Sequence, residues 1–357
     1  MLQTFIIFYT SLIVMIFVMY DNWKSDSLRT SITFISAFVI MGSIFSLRSA
    51  DFAADTRVYC NFFNDLANVK SLSSMYNTEM YEKAFGFCIF FKGIASICGG
   101  ENYVYLITTG VFVIGIILIA LYKFGLDSRP AIIYFFLLCF LPWMNVTRTA
   151  MSISLLFLGF VLFYQKKYLW SYFNFFLAVS FHKIAAFPVI LIILSYFVNK
   201  RNFTKLLLIC GIAVLSADSI ISLFSNLFTV YDGYLENVDD EVKGKNIFYQ
   251  IVFISTFIYA KWISKNVNEK KLPNFFFPLL FICGIEIIIG ILGFQSWFLI
   301  RLNMFFQALV SLLIIFVLYY ENRYTNLYKI SSFSILFFGF SWYLAFKTHG
   351  GYSTWLN

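Results

Sequence analysis

Two arginines and a histidine stand where an apolar chain has least reason to keep them. Arg148 interrupts the run MNVTRTAMSIS, and Arg301 opens a run in SWFLIRLNMFF. A guanidinium donates paired hydrogen bonds in a planar fork that fits phosphate oxygens, so two of them at helix ends suit a clamp on phosphate. The competing reading is an arginine whose stem covers apolar surface while its head reaches water. His182, followed by Lys183 in AVSFHKIAAFPVI, is one of two histidines. Imidazole takes and passes on a proton near neutral pH, which makes His182 a candidate base. The alternative is a packing histidine at a helix junction. His349 lies in a tail of Gly, Ser and Thr and carries no such expectation.

The other concentration of chemistry is Arg48 to Phe87, RSADFAADTRVYCNFFNDLANVKSLSSMYNTEMYEKAFGF, the longest polar interval in the chain. It brings Arg48, Asp51, Asp55, Arg57, Glu79 and Glu82 together with Tyr59, Phe62, Phe63, Tyr76 and Tyr81. On a helix, Asp55, Tyr59 and Phe63 share a face. A carboxylate, a phenol and a phenyl ring on one face suit hydrogen bonding and stacking to a sugar; an interfacial helix pinned by its aromatics explains the same spacing. Glu82, just before Phe85-Gly86-Phe87, is either a helix-start carboxylate or a base. Asp55 and Glu82 therefore stand beside His182 as catalytic candidates. A later polar stretch, Phe224 to Asn246, adds Tyr231 and Tyr234 as substrate-binding candidates. Asp218 and Glu286 fall inside apolar runs, where an acid is a functional candidate by default unless it neutralises a neighbouring arginine.

The elements that must position these groups are set by composition. The chain has 357 residues, 61% hydrophobic and 12% charged, with a mean hydropathy of +0.80. Soluble domains are about a quarter charged, and the long unbroken apolar runs exclude an outer-membrane barrel. The expected fold is an all-α polytopic membrane protein with about 12 transmembrane helices and an outer-face segment of loop and interfacial helix. Residues 1–357 form one integral membrane domain, with outer loops at 48–101 and 223–246. The N-terminal run Leu2 to Tyr20 has no basic start and no small-residue cleavage site, so it reads as a retained span. The six cysteines show no metal-ligand spacing, so neither metal nor cofactor is expected. A net charge of +8 points to cytoplasmic loops and not to nucleic acid.

The run Ala84 to Cys98 is short, contains Lys92 and ends in Gly99-Gly100, so it either spans or re-enters. If it stays at the interface, the loops around Asn22, Phe124, Lys166, Arg201, Lys270 and Asn326 fall on one side. They then hold fifteen of the 26 Lys and Arg but five of the 18 acids, which marks that side as cytoplasmic. Arg48 to Phe87, Arg148, His182-Lys183 and Arg301 then all face outward. Pro142 and Pro188 sit within apolar runs, where they are expected to kink a helix.

Arg48, then Asp55-Thr56, Tyr59 and Phe63, then Glu82 with Gly86-Phe87, then Arg148-Thr149-Ala150, His182-Lys183 and Arg301 before Phe305-Phe306 make a pattern. In order and membrane placement it resembles the EpsG-like family of Wzy-type O-antigen and exopolysaccharide polymerases, from about Arg48 to Phe306. Ala53-Ala54 stands where that family often has a glycine before the Asp-Thr pair. The resemblance implies a bacterial inner-membrane glycosyltransferase. It joins undecaprenyl-pyrophosphate-linked oligosaccharide repeat units on the periplasmic face, needs no metal or nucleotide sugar, and works with membrane lipid and a chain-length regulator. On that reading Arg148 and Arg301, with Lys183 and Arg57, are candidates for the pyrophosphate, and Arg48, Tyr59, Tyr231 and Tyr234 are further substrate-binding candidates. His182 is the first choice of base, with Asp55 or Glu82 in reserve. The alternatives are a lipid-linked oligosaccharide flippase and an O-antigen ligase-type glycosyltransferase.

Overall fold

The structure, a computed structural model, describes residues 26–52, 54–69, 79–124, 132, 140–215, 240–267, 272–292 and 297–322. All regular elements there are helical: α1 Asp26–Ser46, α2 Ala54–Asn68, α3 Glu79–Lys83, α4 Phe85–Cys98, α5 Asn102–Phe124, α6 Leu141–Asn145, α7 Thr147–Tyr164, α8 Tyr168–Phe181, α9 Ala186–Ser195, α10 Phe203–Leu215, α11 Asp240–Asn266, α12 Phe276–Leu292 and α13 Trp297–Asn322. Short 3-10 turns occupy Ala50–Phe52 and Lys183–Ala185. Of the expected outer loop 223–246, residues 240–246 belong to α11 and 223–239 lie outside the described residues. So do the runs at 2–20 and 330–346.

Two helices among the described residues are long and apolar enough to cross a bilayer, α5 with 23 residues and α7 with 18. Shorter apolar stretches occur in α1, α4, α9, α10, α12 and α13. The described residues thus establish two such helices and leave the expected twelve as a count from sequence. Large apolar side chains line the outer faces of α5 and α8, among them Ile107, Val111, Leu169, Trp170 and Phe176. An apolar outside is stable against lipid and costly against water.

The chain divides into two compact units, residues 1–183 with 327–357 and residues 184–326. At the centre of the first is α7, buried on nearly every side from Thr147 to Phe163. Its small residues allow close packing. Ser171 Oγ of α8 donates to the Gly159 carbonyl at 2.8 Å, and Ser152 Oγ donates to the Ala178 carbonyl of α8 at 2.7 Å. A Cβ on Gly159 would come within 2.6 Å of the Phe175 ring. The α7–α8 turn is tight, with Lys166 at φ 62°.

Helix α5 runs parallel to α7. Tyr105 and Thr147 share a hydroxyl hydrogen bond of 2.5 Å near one end, and Gln165 Nε2 donates to the Lys123 carbonyl at the other. The residue offset is the same in both pairs, so the helices keep register over their whole length. Helix α1 lies antiparallel to α5: Phe34 meets Tyr122, and Gly110 lets Ser46 approach so closely that a Cβ there would stand 2.3 Å from its hydroxyl.

In the second unit α12 takes the central place, buried at Phe276 to Glu286 and packed by α9, α10, α11 and α13. Pro188 does not kink a helix interior: it lies in the first turn of α9, where the missing N–H has no intrahelical acceptor to lose.

Candidate functional site

The hydrogen-bonded register of the first unit fixes which residues share an end. In the Gly159/Ser171 and Ser152/Ala178 pairs of α7 and α8 the two residue numbers sum to the same value, and Arg148 and His182 continue that register one turn on. They stand opposite each other at the end of the hairpin away from Lys166 and Lys167. Arg48 follows the end of α1, beside the start of α5, and therefore belongs to the same end. Helices α2, α3 and α4 pack there. Thr56 Oγ1 donates to the Met144 carbonyl of α6 at 3.2 Å, which ties α2 to the segment just ahead of Arg148.

Helix α2 is amphipathic for a simple reason. Thr56, Tyr59, Cys60, Phe63 and Leu66 are buried at spacings of three and four, while Arg57, Val58, Asn61, Asp65 and Asn68 are exposed. The face that carries Tyr59 and Phe63 turns inward: Phe63 is 0% exposed and meets Phe91 at 5.7 Å and Tyr105 at 5.8 Å. Phe63 is therefore a packing ring. Tyr59 is 5% exposed and rests on Phe87 at 5.8 Å. Asp55, half-buried at the N-terminal end, is the part of that face open to solvent.

Arg148 is 3% exposed. Its Cζ lies 5.8 Å from the Tyr59 ring centre, its Nη1 donates to Met80 Sδ of α3 at 3.1 Å, and its charge reaches Cys88 of α4. A thioether is a weak acceptor, so that arm of the fork is available to a better one. Arg48 is wholly buried, donates to the Phe45 carbonyl and stacks 4.4 Å over the Phe45 ring. Its charge acts on Cys60: burial pushes that thiol up to about 11, Arg48 pulls it down, and Asp51 pushes it up. His182 is 1% exposed. It ends α8 in extended conformation, φ −154° and ψ 110°, with its amide donating to the Ala178 carbonyl at 3.0 Å.

The remaining candidates are spread more widely. Lys183 is half-buried in the 3-10 turn after His182, and Glu82 is exposed on α3. Arg57 pairs with Asp51 at 2.7 Å on the surface, and sits on the far side of α2 from Tyr59. Arg301 is half-buried in the second turn of α13, in the second unit. Tyr231 and Tyr234 lie outside the described residues. Among the described residues no cluster of three or more His, Cys, Asp or Glu could hold a metal.

Three contributors were not recognised as such from sequence. Met80 covers Arg148, and nothing in EMYEK distinguishes it. Thr147 fixes the start of α7 on Tyr105. Lys92, which made Ala84 to Cys98 hard to place, donates to the Leu66 and Val69 carbonyls at 2.8 and 2.5 Å. Its ammonium caps the C-terminal end of α2, where unpaired carbonyls and the helix dipole favour a cation. Gly86 completes the docking of α4: a Cβ there would stand 2.2 Å from Ser180 Oγ of α8.

Among the described residues the regular elements are all helical, two of them of spanning length with apolar outer faces, which is the make-up of a membrane protein. The chain belongs to the EpsG family, whose profile matches residues 31–357. That family carries a polysaccharide polymerase-like glycosyltransferase role. No curated protein and no solved structure matches the chain.

Proposed function

We propose that this protein joins polyprenyl-pyrophosphate-linked oligosaccharide repeat units into a surface polysaccharide, acting from the periplasmic face of a bacterial inner membrane. The observation that carries the reading is the convergence of Arg148, His182 and Arg48 at one end of the helices, beside the Asp55 end of α2. An acceptor hydroxyl attacks the anomeric carbon of the donor. The new bond is acceptor oxygen to anomeric carbon, the broken bond is anomeric carbon to pyrophosphate oxygen, and polyprenyl pyrophosphate leaves with the electron pair. His182 takes the hydroxyl proton; Asp55 or Glu82 is the alternative, the other orienting the sugar. Arg148 turns its fork from Met80 to the pyrophosphate and stabilises charge as it develops there, with Lys183 adding a second cation. Pyrophosphate is already a good leaving group, so alignment and charge stabilisation are the main work. A chain-length regulator is a proposed partner.

The test is a gene deletion complemented with wild type, Arg148→Ala or His182→Ala, read as the surface polysaccharide ladder. Wild type restores the ladder and both variants stop at a single repeat unit. Loss of even the single unit would assign the protein to transport or ligation, and a full ladder from both variants would remove these residues from the site.

A further inference from the structure

The second unit carries a polar centre that the proposed reaction does not use. Glu286 in α12 is 0% exposed, Gln250 of α11 is 4% and Asn303 of α13 is 1%. The three helices pack pairwise against one another, so the three side chains meet from three directions. Gln250 Nε2 donates to Glu286 Oε1 at 3.1 Å, and Asn303 lies against the same carboxyl. The sequence makes room for this on purpose. Gly290 lies one turn along α12 from Glu286, and a Cβ there would stand 1.7 Å from Gln250 Nε2. Only glycine admits the Gln250 amide to the carboxyl.

Both amides turn a nitrogen to the carboxyl, Gln250 to Oε1 and Asn303 beside it, which leaves the two buried amide oxygens, Gln250 Oε1 and Asn303 Oδ1, without a hydrogen-bond partner. Among the described residues no Lys, Arg or His forms an ion pair with Glu286. Buried oxygens in this condition are costly, and a buried carboxylate without a counter-charge is costlier still.

We propose that Glu286, Gln250 and Asn303 form a binding site for a monovalent metal cation of the sodium class. One carboxylate balances one positive charge, where a divalent ion would call for more. Carboxylate and carboxamide oxygens suit a hard cation and have little affinity for thiophilic metals. An ion held this way ties α11, α12 and α13 together and couples their packing to the salt outside. The site is independent of the polymerase reading, since it uses none of the residues assigned to that reaction.

The experiment uses the purified full-length chain in detergent with radioactive sodium as the probe. Wild type should show saturable binding of about one ion per chain, competed by lithium but not by choline. At saturating sodium its melting temperature should rise by roughly 3–8 °C over choline at equal ionic strength. Glu286→Gln should lose both effects while Asp65→Asn, an exposed change on α2, keeps them. Gln250→Leu removes one oxygen ligand but keeps the carboxylate and should weaken sodium binding about tenfold, which provides a reading if Glu286→Gln fails to fold. Absence of saturable sodium binding in wild type would overturn the proposal and leave Glu286 as a neutral acid within an amide network. Binding that survives Glu286→Gln, or is unchanged in Gln250→Leu, would overturn it as well.

Discussion

Arg148→Lys is the sharpest perturbation of the proposed reaction, because it keeps the charge and removes the fork. A hydrogen bond to a charged group is worth about 1.5–3 kcal/mol, and lysine replaces a planar pair of donors with a point charge. Loss of one arm in the transition state should therefore slow polymerisation by about 10- to 100-fold. Arg148→Ala removes both arms and the charge and should cost about a thousandfold. Two of the contacts that the buried guanidinium makes in the structure are weak. The Met80 contact is to a weak acceptor, and the Tyr59 ring at 5.8 Å is near the outer limit of a cation–π contact, worth about 0.5–1 kcal/mol. Initial rates would be measured on purified protein with lipid-linked repeat units, from the product ladder, beside a thermal melt of each variant. The expected pattern is a large loss of rate from protein that is still folded at the assay temperature. A lysine variant within threefold of wild type, or a rate loss matched by unfolding, would refute the role given to the fork.

Three further outcomes test the framework around the site. Gly86→Ala drives a Cβ into Ser180 and should destabilise by about 1–3 kcal/mol; Ser180→Gly in the same chain should recover most of the lost melting temperature, and failure to recover would mean that α4 does not dock on α8 through this pair. Lys92→Met keeps the apolar stem but uncaps α2, and at a half-buried position should cost about 1–2 kcal/mol, read as a lower melting temperature and a reduced polymerisation rate. For the thiols, burial that lifts Cys60 to about 11 leaves about a hundredfold less thiolate at pH 8 than an ordinary cysteine has. Because the folded value is raised, the penalty grows as pH climbs from the ordinary value of 9.0 towards about 11, so high pH favours the unfolded chain. Cys60 should resist maleimide at pH 8 until the protein is denatured. Cys98, exposed at the end of α4, should react with an impermeant maleimide in spheroplasts; protection there until the membrane is broken would place the end of α4 on the cytoplasmic side.

Arg148 and His182 stood out in the sequence because a charged or titratable group in an apolar setting needs a reason, and Arg48 because it opens the longest polar interval of the chain. Their common end follows from hydrogen bonds between serine hydroxyls and carbonyls, which no periodicity announces. The face of Asp55, Tyr59 and Phe63 was legible as helical spacing, yet the same spacing serves a sugar platform or a buried seam. The aromatic partners that decide for the seam, Phe87, Phe91 and Tyr105, come from helices far along the chain. Lys92 was legible as an anomaly and explained only once the end of α2 lay against it. Met80 and the Gln250 and Asn303 partners of Glu286 were not legible, because an unremarkable side chain acquires a role only through what packs on it.

The same register bears on whether the first unit works at one end or conducts through its length. From Arg148 to Tyr164 the rise along α7 is about 24 Å, most of the roughly 30 Å of a bilayer core. Between their first and last turns α1, α5, α7 and α8 carry no charged side chain, and α7 in that interval is almost entirely buried. A transporter of a charged, sugar-rich lipid would need polar groups along such a path to replace water. Arg148 and Arg48 stand at one end of that interval, with Tyr59, Met80 and the N-terminal turn of α2 there, and Lys123, Lys166 and Lys167 at the other; the charge stops at the ends. That arrangement suits a reaction at a surface, in which the lipid tail stays in the bilayer and only the pyrophosphate and sugars reach the protein's polar end.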